Sequence, residues 1–348
     1  MTVYEIREAD ILHNIALAQR RAGVPVWGVV KYDGYGVGLT EMAGLLRRQG
    51  VTRLAVSGAE EAHALRRAGF QAEDILLLSP QGTLREMRMA LSDGAIFSVG
   101  SEDYARTLAA LARELGCTAR AHIAVDTGMG RFGFLPDDYA AIAGLYRRRD
   151  TLCVEGVYSH FAAACSDRQS TKRQFARFTA LLERLRADGI DRGMAHIANS
   201  PGLFRYSGMA LDAVRIGSAL VGRVAGTSPA QTGLRPVGTL VTTVCAVRAL
   251  PKGSRVGYHG EATLRRDGAI AILAAGRRQG APCVSRRDRL LRRFPTAQIG
   301  GQTVRLIATQ SESHAIADVT GLQVVTGGCA RIDVNPLRVD GGVRREYL

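Results

Sequence analysis

A lysine placed where a buried strand ends, with glycines close behind it, is a residue set suited to carbonyl chemistry. The run Val24-Pro25-Val26-Trp27-Gly28-Val29-Val30 is short, apolar and rich in β-branched residues, and Gly23 bounds it in front, so it reads as a buried strand. Lys31 stands at its end, held by the strand yet open to a pocket, which suits an amine that must lose its proton and attack a carbonyl. A lysine there can equally snorkel from a strand edge. The continuation favours chemistry: Gly34, Gly36 and Gly38 let backbone approach a ligand closely, and Tyr35 follows four residues after the lysine.

The elements that must position this lysine follow from the hydrophobic pattern. Asp10 can cap a helix through Ile11, Ile15, Leu17 and Ala18 to Gly23. Beyond Lys31, short apolar runs alternate with amphipathic stretches. Strands are expected at 53–57, 75–79, 95–99, 119–125, 152–159, 194–198 and 211–214, with helices between them such as 60–68, 102–115 and 171–187. With the Lys31 strand this makes about eight βα units, the number a (β/α)8 TIM barrel needs. A doubly wound open sheet is the competing α/β architecture. The polar residues favour the barrel. Lys31, the Asp126 to Arg131 loop, His160, Asn199-Ser200 and Arg215 all follow expected strands, and a barrel gathers such ends on one face. After Gly222 the pattern changes: 226–233 has linker composition, and 237–247, 269–274, 303–308, 315–319 and 330–334 alternate as strands do. The expected domains are a barrel over 1–225 and a smaller, mostly β C-terminal domain over 226–348.

At 348 residues and 46% hydrophobic, the chain can build a core for each. Its six cysteines form no C-x-x-C pair, which argues against a zinc site or a disulfide framework and for a reducing cytoplasm. The first residues, MTVYEIREADILHN, carry charges where a signal peptide needs an apolar core, and no apolar run reaches the span of a bilayer. A soluble cytoplasmic protein with no membrane partner is expected. The net charge of +14 raises nucleic acid as a partner, but the arginines are spread in pairs along helices without interleaved aromatics. No nucleic-acid role is expected. The densest cluster, 285–293, reads as a surface element or part of an interface.

The segment VVKYDGYGVGL resembles the signature of the alanine racemase family, whose lysine carries pyridoxal 5'-phosphate as a Schiff base and whose following tyrosine hydrogen-bonds the phosphate. Four further segments resemble the family in the same order: Asp126-Thr127-Gly128-Met129-Gly130-Arg131, Ser159-His160-Phe161, His196-Ile197-Ala198-Asn199-Ser200, and Val214-Arg215-Ile216-Gly217-Ser218. A fifth, Val256-Gly257-Tyr258-His259-Gly260, lies in the second domain. The resemblance implies that Lys31, Tyr35, His160, Asn199, Ser200, Arg215, Gly217 and Ser218 hold the cofactor. His160 would pack on its ring, His196 would hold Arg215, and backbone N–H groups at a helix start after Gly217 would seat the phosphate. Arg131 would bring a permanent cation to the cofactor's phenolic oxygen or to a substrate carboxylate. Arg215 would face the pyridine nitrogen and leave it unprotonated, a weak electron sink that disfavours transamination and suits reversible proton transfer at Cα. Racemisation needs proton exchange on both faces of a planar carbanion, and the resemblance assigns Lys31 to one face and Tyr258 of the partner subunit to the other. It therefore implies a head-to-tail homodimer with shared active sites and an amino acid substrate.

The chain departs from the family at three places. Ala124 stands where a carbamylated lysine usually steadies the arginine corresponding to Arg131, so Arg131 needs another partner, a bound anion, or stands alone. Arg277 replaces a tyrosine that lines the substrate entrance, and Ser311-Glu312-Ser313-His314 replaces an S-M-D-Q segment. Arg277 and Glu312 are therefore expected to bind substrate and to favour a polar or charged amino acid, because a methyl group would leave them unpaired. The leading expectation is racemisation of alanine, with serine or another polar or charged amino acid as the alternative. A basic amino acid decarboxylase would place a carboxylate, not Arg215, at the pyridine nitrogen. A cofactor-binding protein with impaired catalysis would account for Ala124.

Overall fold

The computed structural model describes residues 2–80, 82–148, 151–283 and 294–348, and the arginine-rich cluster at 285–293 lies outside the described residues. Contacts divide the chain into two compact units, Ile11–Arg235 and a second made of Met1–Asp10 with Pro236–Leu348.

The first strand of the chain, β1 (Val3–Ile6), belongs to the second unit. The larger unit is built on β2 (Val26–Val29), β3 (Arg53–Val56), β4 (Asp74–Leu77), β5 (Ile96–Val99), β6 (Ala119–Ala124), β7 (Leu152–Tyr158), β8 (Met194–His196) and β9 (Val214–Ile216). These pair in parallel in the order β8-β7-β6-β5-β4-β3-β2-β9, and a parallel bridge between His196 and Ala213 closes the ring. Parallel strands joined by helices are covered on both faces, which is why β2 and β5 are buried at every position and read as continuous apolar runs. Trp27, Val29, Ala55, Leu76 and Ile96 meet inside the ring. The connecting helices carry the signals that fix their ends: Thr83 and Glu86 form a capping box before Leu84–Ser92, and Asp167 caps Arg168–Ala187 through the Ser170 N–H at 2.9 Å. Arg120 at the start of β6 pairs with Asp74 and Glu155 at the N-terminal side of the strands, leaving the opposite, C-terminal ends to Lys31, Asp126 and His160.

The second unit is antiparallel apart from one pairing. Its strands are β10 (Gly238–Leu250), the short β11 (Arg255–Val256) and β12 (Ala262–Thr263), β13 (Gly268–Leu273), β14 (Thr296–Ile299), β15 (Gln302–Ala308), β16 (Ala315–Asp318), β17 (Cys329–Asp333) and β18 (Arg344–Tyr347). β10 is long enough to pair twice. Its first half lies against β17, a bulge between Val244 and Ala246 turns it, and its second half lies against β13, which closes the path β10-β13-β16-β15-β14-β17 into a ring. β1 joins the edge of β10 and pairs in parallel with β18.

The barrel and the β-rich second unit are thus both present. Two sequence expectations differ in detail. The strand placed at 211–214 forms at Val214–Ile216, so Arg215 sits within a strand and not after it. Residues 1–10, assigned by sequence to the barrel, pack with the β-rich unit, because Val3–Ile6 alternates buried and part-exposed positions and finds its partners on β10 and β18.

Candidate active site

A cavity of about 450 Å³ opens at the C-terminal ends of the barrel strands, and Lys31, Tyr35, Arg131, His160, Arg215 and Ser218 all line it. Asn199, Ser200 and Gly217 line it too. The eight barrel residues assigned to the cofactor therefore converge on one space, together with Arg131.

Lys31 follows β2 by two residues and is half-buried. The chain beyond it turns tightly, with Tyr32, Asp33, Gly34 and Tyr35 all in the left-handed region at φ of 55°, 54°, 62° and 58°. For each of the non-glycine residues that conformation costs roughly 1–2 kcal/mol, so the turn has to be held. Glu61 holds it: one carboxylate oxygen accepts the Tyr32 N–H at 2.8 Å and the other the Ser57 N–H at 2.6 Å, tying the ends of β2 and β3 together. Asp33 accepts the Leu39 N–H at 3.0 Å on the far side. Burial, joined by the charge of Arg131, pushes the Lys31 amine below its usual value, against the opposing pull of Glu61.

Arg215 is 3% exposed, and its hydrogen-bond partners among the described residues are ring nitrogens and carbonyls, not carboxylates. One guanidinium nitrogen donates to His196 Nδ1 at 2.6 Å and the other to the Ser159 carbonyl at 2.6 Å, while the group lies 4.8 Å from the centre of the Tyr158 ring. Burial lowers it to about 10, so it remains a cation at neutral pH. His160 stands beside it, with Nδ1 at 3.2 Å from Arg215 and Nε2 at 3.2 Å from the Asn199 amide nitrogen. Burial and the cations Arg215, Arg131 and Lys31 hold His160 down at about 3, so it is a neutral ring.

The opposite wall is lined by small residues, Ser200, Gly217 and Ser218. Ser200 Oγ accepts the Gly217 and Ala219 N–H groups at 3.2 Å each, and Asn199 caps the helix Ser200–Arg205 by accepting the Gly202 N–H at 3.0 Å. Tyr35 closes over Gly217 so tightly that a Cβ there would lie 2.4 Å from the tyrosine oxygen, which requires glycine. The helix start expected after Gly217 is a turn over 218–222, and the Gly217 and Ala219 N–H groups at its start are given to Ser200 Oγ.

Asp126 organises the second glycine-rich loop by accepting the N–H groups of Gly128, Met129 and Arg131 at 2.8, 2.7 and 3.0 Å; burial pushes its carboxyl up, but these donors outweigh it and hold the group low. The loop presents Arg131 at the rim, exposed, with no hydrogen bond or ion pair from its guanidinium to any described residue. Ala124 lines the same cavity and offers it nothing polar.

In the second unit, Tyr258 is 61% exposed on a turn after β11 and borders an apolar groove with Ile272, Ala308 and His314. Arg277 and Glu312 pair with each other at 3.1 Å, and backbone bonds from Arg277 to Ser311 and from Arg278 to Glu312 align them. That pairing corrects the premise that a small substrate would leave them both unpaired: each already has its partner in the same chain.

Three residues at the barrel site went unnoticed in the sequence. Glu61 lies in an ordinary helical E-E-A run, and Tyr158 in an apolar strand. His122 Nδ1 meets His196 Nε2 at 2.8 Å, and its signal was a single polar residue within the run Ala121-His122-Ile123-Ala124.

Residues 6–224 match the family described as alanine racemase, N-terminal domain. The chain is 33% identical over 327 residues to an alanine racemase of Desulforamulus reducens, covering 90% of this chain and 85% of the relative. It is 34% identical over 263 residues to an alanine racemase of Clostridium tetani, covering 74% and 67%. Among solved structures, alanine racemase from Streptomyces coelicolor superimposes with a TM-score of 0.88 at 26% identity, covering all of this chain and 98% of the other. The enzyme from a D-cycloserine-producing Streptomyces lavendulae gives 0.87 at 28%, covering all of this chain and 97% of the other.

Proposed function

The chain belongs to the alanine racemase family, which depends on pyridoxal 5'-phosphate, and from that premise we propose that it is an amino acid racemase acting on alanine. The residues present fit the cofactor. A half-buried amine of lowered pKa stands at one side of the cavity, and a small-residue cradle of Ser200, Gly217 and Ser218 under Tyr35 stands at the other. Between them lies Arg215, a cation whose polar partners are neutral. Lys31 would hold the aldehyde, His160 would pack on the ring, and Tyr35, Asn199, Ser200, Gly217 and Ser218 would hold the phosphate end. Bound pyridoxal 5'-phosphate supplies an aldehyde for amines and an electron-withdrawing ring that accepts charge from a substrate Cα.

The protein's own part is to place protons. Lys31, with its lowered pKa, has more free amine at neutral pH than an ordinary lysine and can take or return a proton on one face of Cα. Tyr258 of the partner subunit serves the other face. Its exposure supports a site completed by a second copy, in a homodimer. Arg215 keeps its own proton, and facing a bound ring nitrogen it would offer none, which would limit the electron sink and favour reversible proton transfer over transamination or decarboxylation. Arg131 stands free to meet a substrate carboxylate or the cofactor's phenolic oxygen.

The single observation that carries the reading is that Lys31 and Arg215 share one cavity while Arg215 has no carboxylate among the described residues. The test is borohydride trapping of pyridoxal phosphate followed by peptide mapping, with solvent deuterium incorporation at Cα of L- and D-alanine. An adduct on Lys31 with exchange from both enantiomers is expected. Release of CO₂ from basic amino acids would replace the reading with a decarboxylase. An adduct without exchange would make the chain an impaired relative, for which Ala124 and the unpartnered Arg131 give a reason. Serine or another polar amino acid remains the second substrate through Arg277 and Glu312, and a preference for alanine that survives Arg277→Tyr removes it.

A further inference from the structure

His122 has no part in the proton transfers above, yet the barrel interior is built around it. It is 2% exposed on β6, and its Nδ1 lies 2.8 Å from His196 Nε2, whose other nitrogen lies 2.6 Å from Arg215. The His196 ring is stacked between Tyr158 and Trp27, at 5.3 and 6.0 Å between ring centres, and Trp27 meets the His122 ring edge-on at 5.5 Å. Facing His122, β7 carries Gly156, where a Cβ would lie 2.6 Å from the Met194 carbonyl oxygen and 2.8 Å from His122 Cε1. A glycine in the middle of a strand is unfavourable for the strand itself, and here it makes room both for the neighbouring β8 backbone and for an imidazole.

The hydrogen positions follow from what each group can do. Arginine only donates, so His196 Nδ1 must be the acceptor. Arg215 beside them and burial around them keep both imidazoles neutral, so His196 carries its one proton on Nε2 and gives it to His122 Nδ1. His122 then carries its own proton on Nε2. If His196 held the other tautomer, two N–H groups would point at each other across 2.6 Å.

We propose that His122 is a positioning residue: it accepts the Nε2–H of His196 and so locks the tautomer whose Nδ1 lone pair holds Arg215 in the floor of the cavity. Its catalytic consequence rests on the racemase reading, but the tautomer chain does not. His122 touches neither substrate nor cofactor. It acts two hydrogen bonds away, by fixing where a buried cation points.

The test uses the full-length protein with pyridoxal phosphate bound and histidine labelled with ¹⁵N, read by long-range ¹H–¹⁵N spectra between pH 5 and 9. His122 and His196 are expected as neutral Nε2–H rings that do not titrate over that range. His122→Phe keeps a flat ring and removes the acceptor. It should give His196 mixed tautomer signals, shift the absorbance of the bound cofactor, and lower kcat for Cα exchange about tenfold with KM for alanine little changed. His122→Gln, whose amide oxygen can accept the same proton, should restore the His196 signal and most of kcat. An Nδ1–H signal for His196 in the parent protein, titration of either ring near pH 6.5, or a His122→Phe variant with parental His196 signals and kcat would overturn the proposal. If the Phe variant does not fold, the parental tautomers and the Gln variant still decide it. Failure of the racemase reading looks different: no Lys31 adduct and no Cα exchange in the parent protein, whatever the tautomers.

Discussion

Glu61 offers the sharpest test of how the lysine is presented. Its two oxygens accept the Tyr32 and Ser57 amides at 2.8 and 2.6 Å and restrain a turn with three non-glycine residues at positive φ. In Glu61→Gln one oxygen remains and the other acceptor becomes an NH₂ facing a backbone N–H. A hydrogen bond to a charged group contributes about 1.5–3 kcal/mol, so losing one and weakening the other should cost about 2 kcal/mol. The residue lies in the unit Ile11–Arg235, and for a unit of that size 2 kcal/mol lowers Tm by about 4–8 °C. The charge matters separately. Glu61 raises the Lys31 pKa against burial and Arg131, so removing its charge lets that pKa fall further and more of the amine is free at a given pH. The linkage sign follows: Lys31 is depressed in the folded state, the unfolded chain binds more protons between that lowered value and 10.5, and stability rises with pH across this window. Glu61→Gln should widen the window downward. Calorimetry on the cofactor-free chain reads the first effect, and the pH midpoint for capture of pyridoxal phosphate reads the second, moving to lower pH. A variant that melts within about a degree of the parent with an unmoved capture midpoint would refute the reasoning.

Gly217→Ala should place a Cβ 2.4 Å from the Tyr35 oxygen and weaken cofactor binding at least about tenfold in an absorbance titration, with Tyr35→Ala in the same chain relieving the clash. Lys31→Ala and Tyr258→Phe should each be inactive alone, and mixing them through an unfolding and refolding cycle should recover about a quarter of the parental rate, since half of the dimers then hold one intact composite site. No recovery would place Lys31 and Tyr258 in the same subunit's chemistry. His122 and His160, both held near 3 by burial, and His196, also held low, make acid unfolding steep. The unfolded chain binds more protons from about pH 6.5 down to about 3, so stability should fall through that interval, and urea midpoints that stay constant there would contradict it.

The barrel was legible because its strands are buried on both faces and leave continuous apolar runs, as in Val26–Val29 and Ile96–Val99. What escaped was whatever depended on a distant partner. Val3–Ile6 is a short alternating stretch whose role is set by β10 and β18, more than two hundred residues away, and nothing local marks it as part of the second unit. β9 begins three residues later than expected for a related reason: Val214–Ile216 is placed by its pairing with Val26–Gly28 of β2, which local sequence does not mark, and Arg215 falls inside it. The barrel tolerates that arginine because carbonyls and ring nitrogens from β7, β8 and their loops satisfy it.

The same distinction runs through the site. Lys31 sits in a local pattern of strand end and glycines that spacing brings out, whereas the Asp126 loop and Ser200 are singled out by their resemblance to the family's segments. Glu61 and His122 act by reaching across strands, and their neighbours in sequence say nothing of it. Arg277 and Glu312 are two exposed charges in separate segments, and only the fold shows that they meet at 3.1 Å and pair with each other. Arg131 differs from that pair in having no ion-pair partner among the described residues. Asp126 takes three backbone N–H groups to aim its loop, yet the guanidinium it delivers meets no acceptor among the described residues and Ala124 leaves the nearby wall apolar. Among the described residues that guanidinium has only the Phe132 ring beside it, at 5.5 Å, and in the proposed racemase Arg131 would be the group that meets a substrate carboxylate.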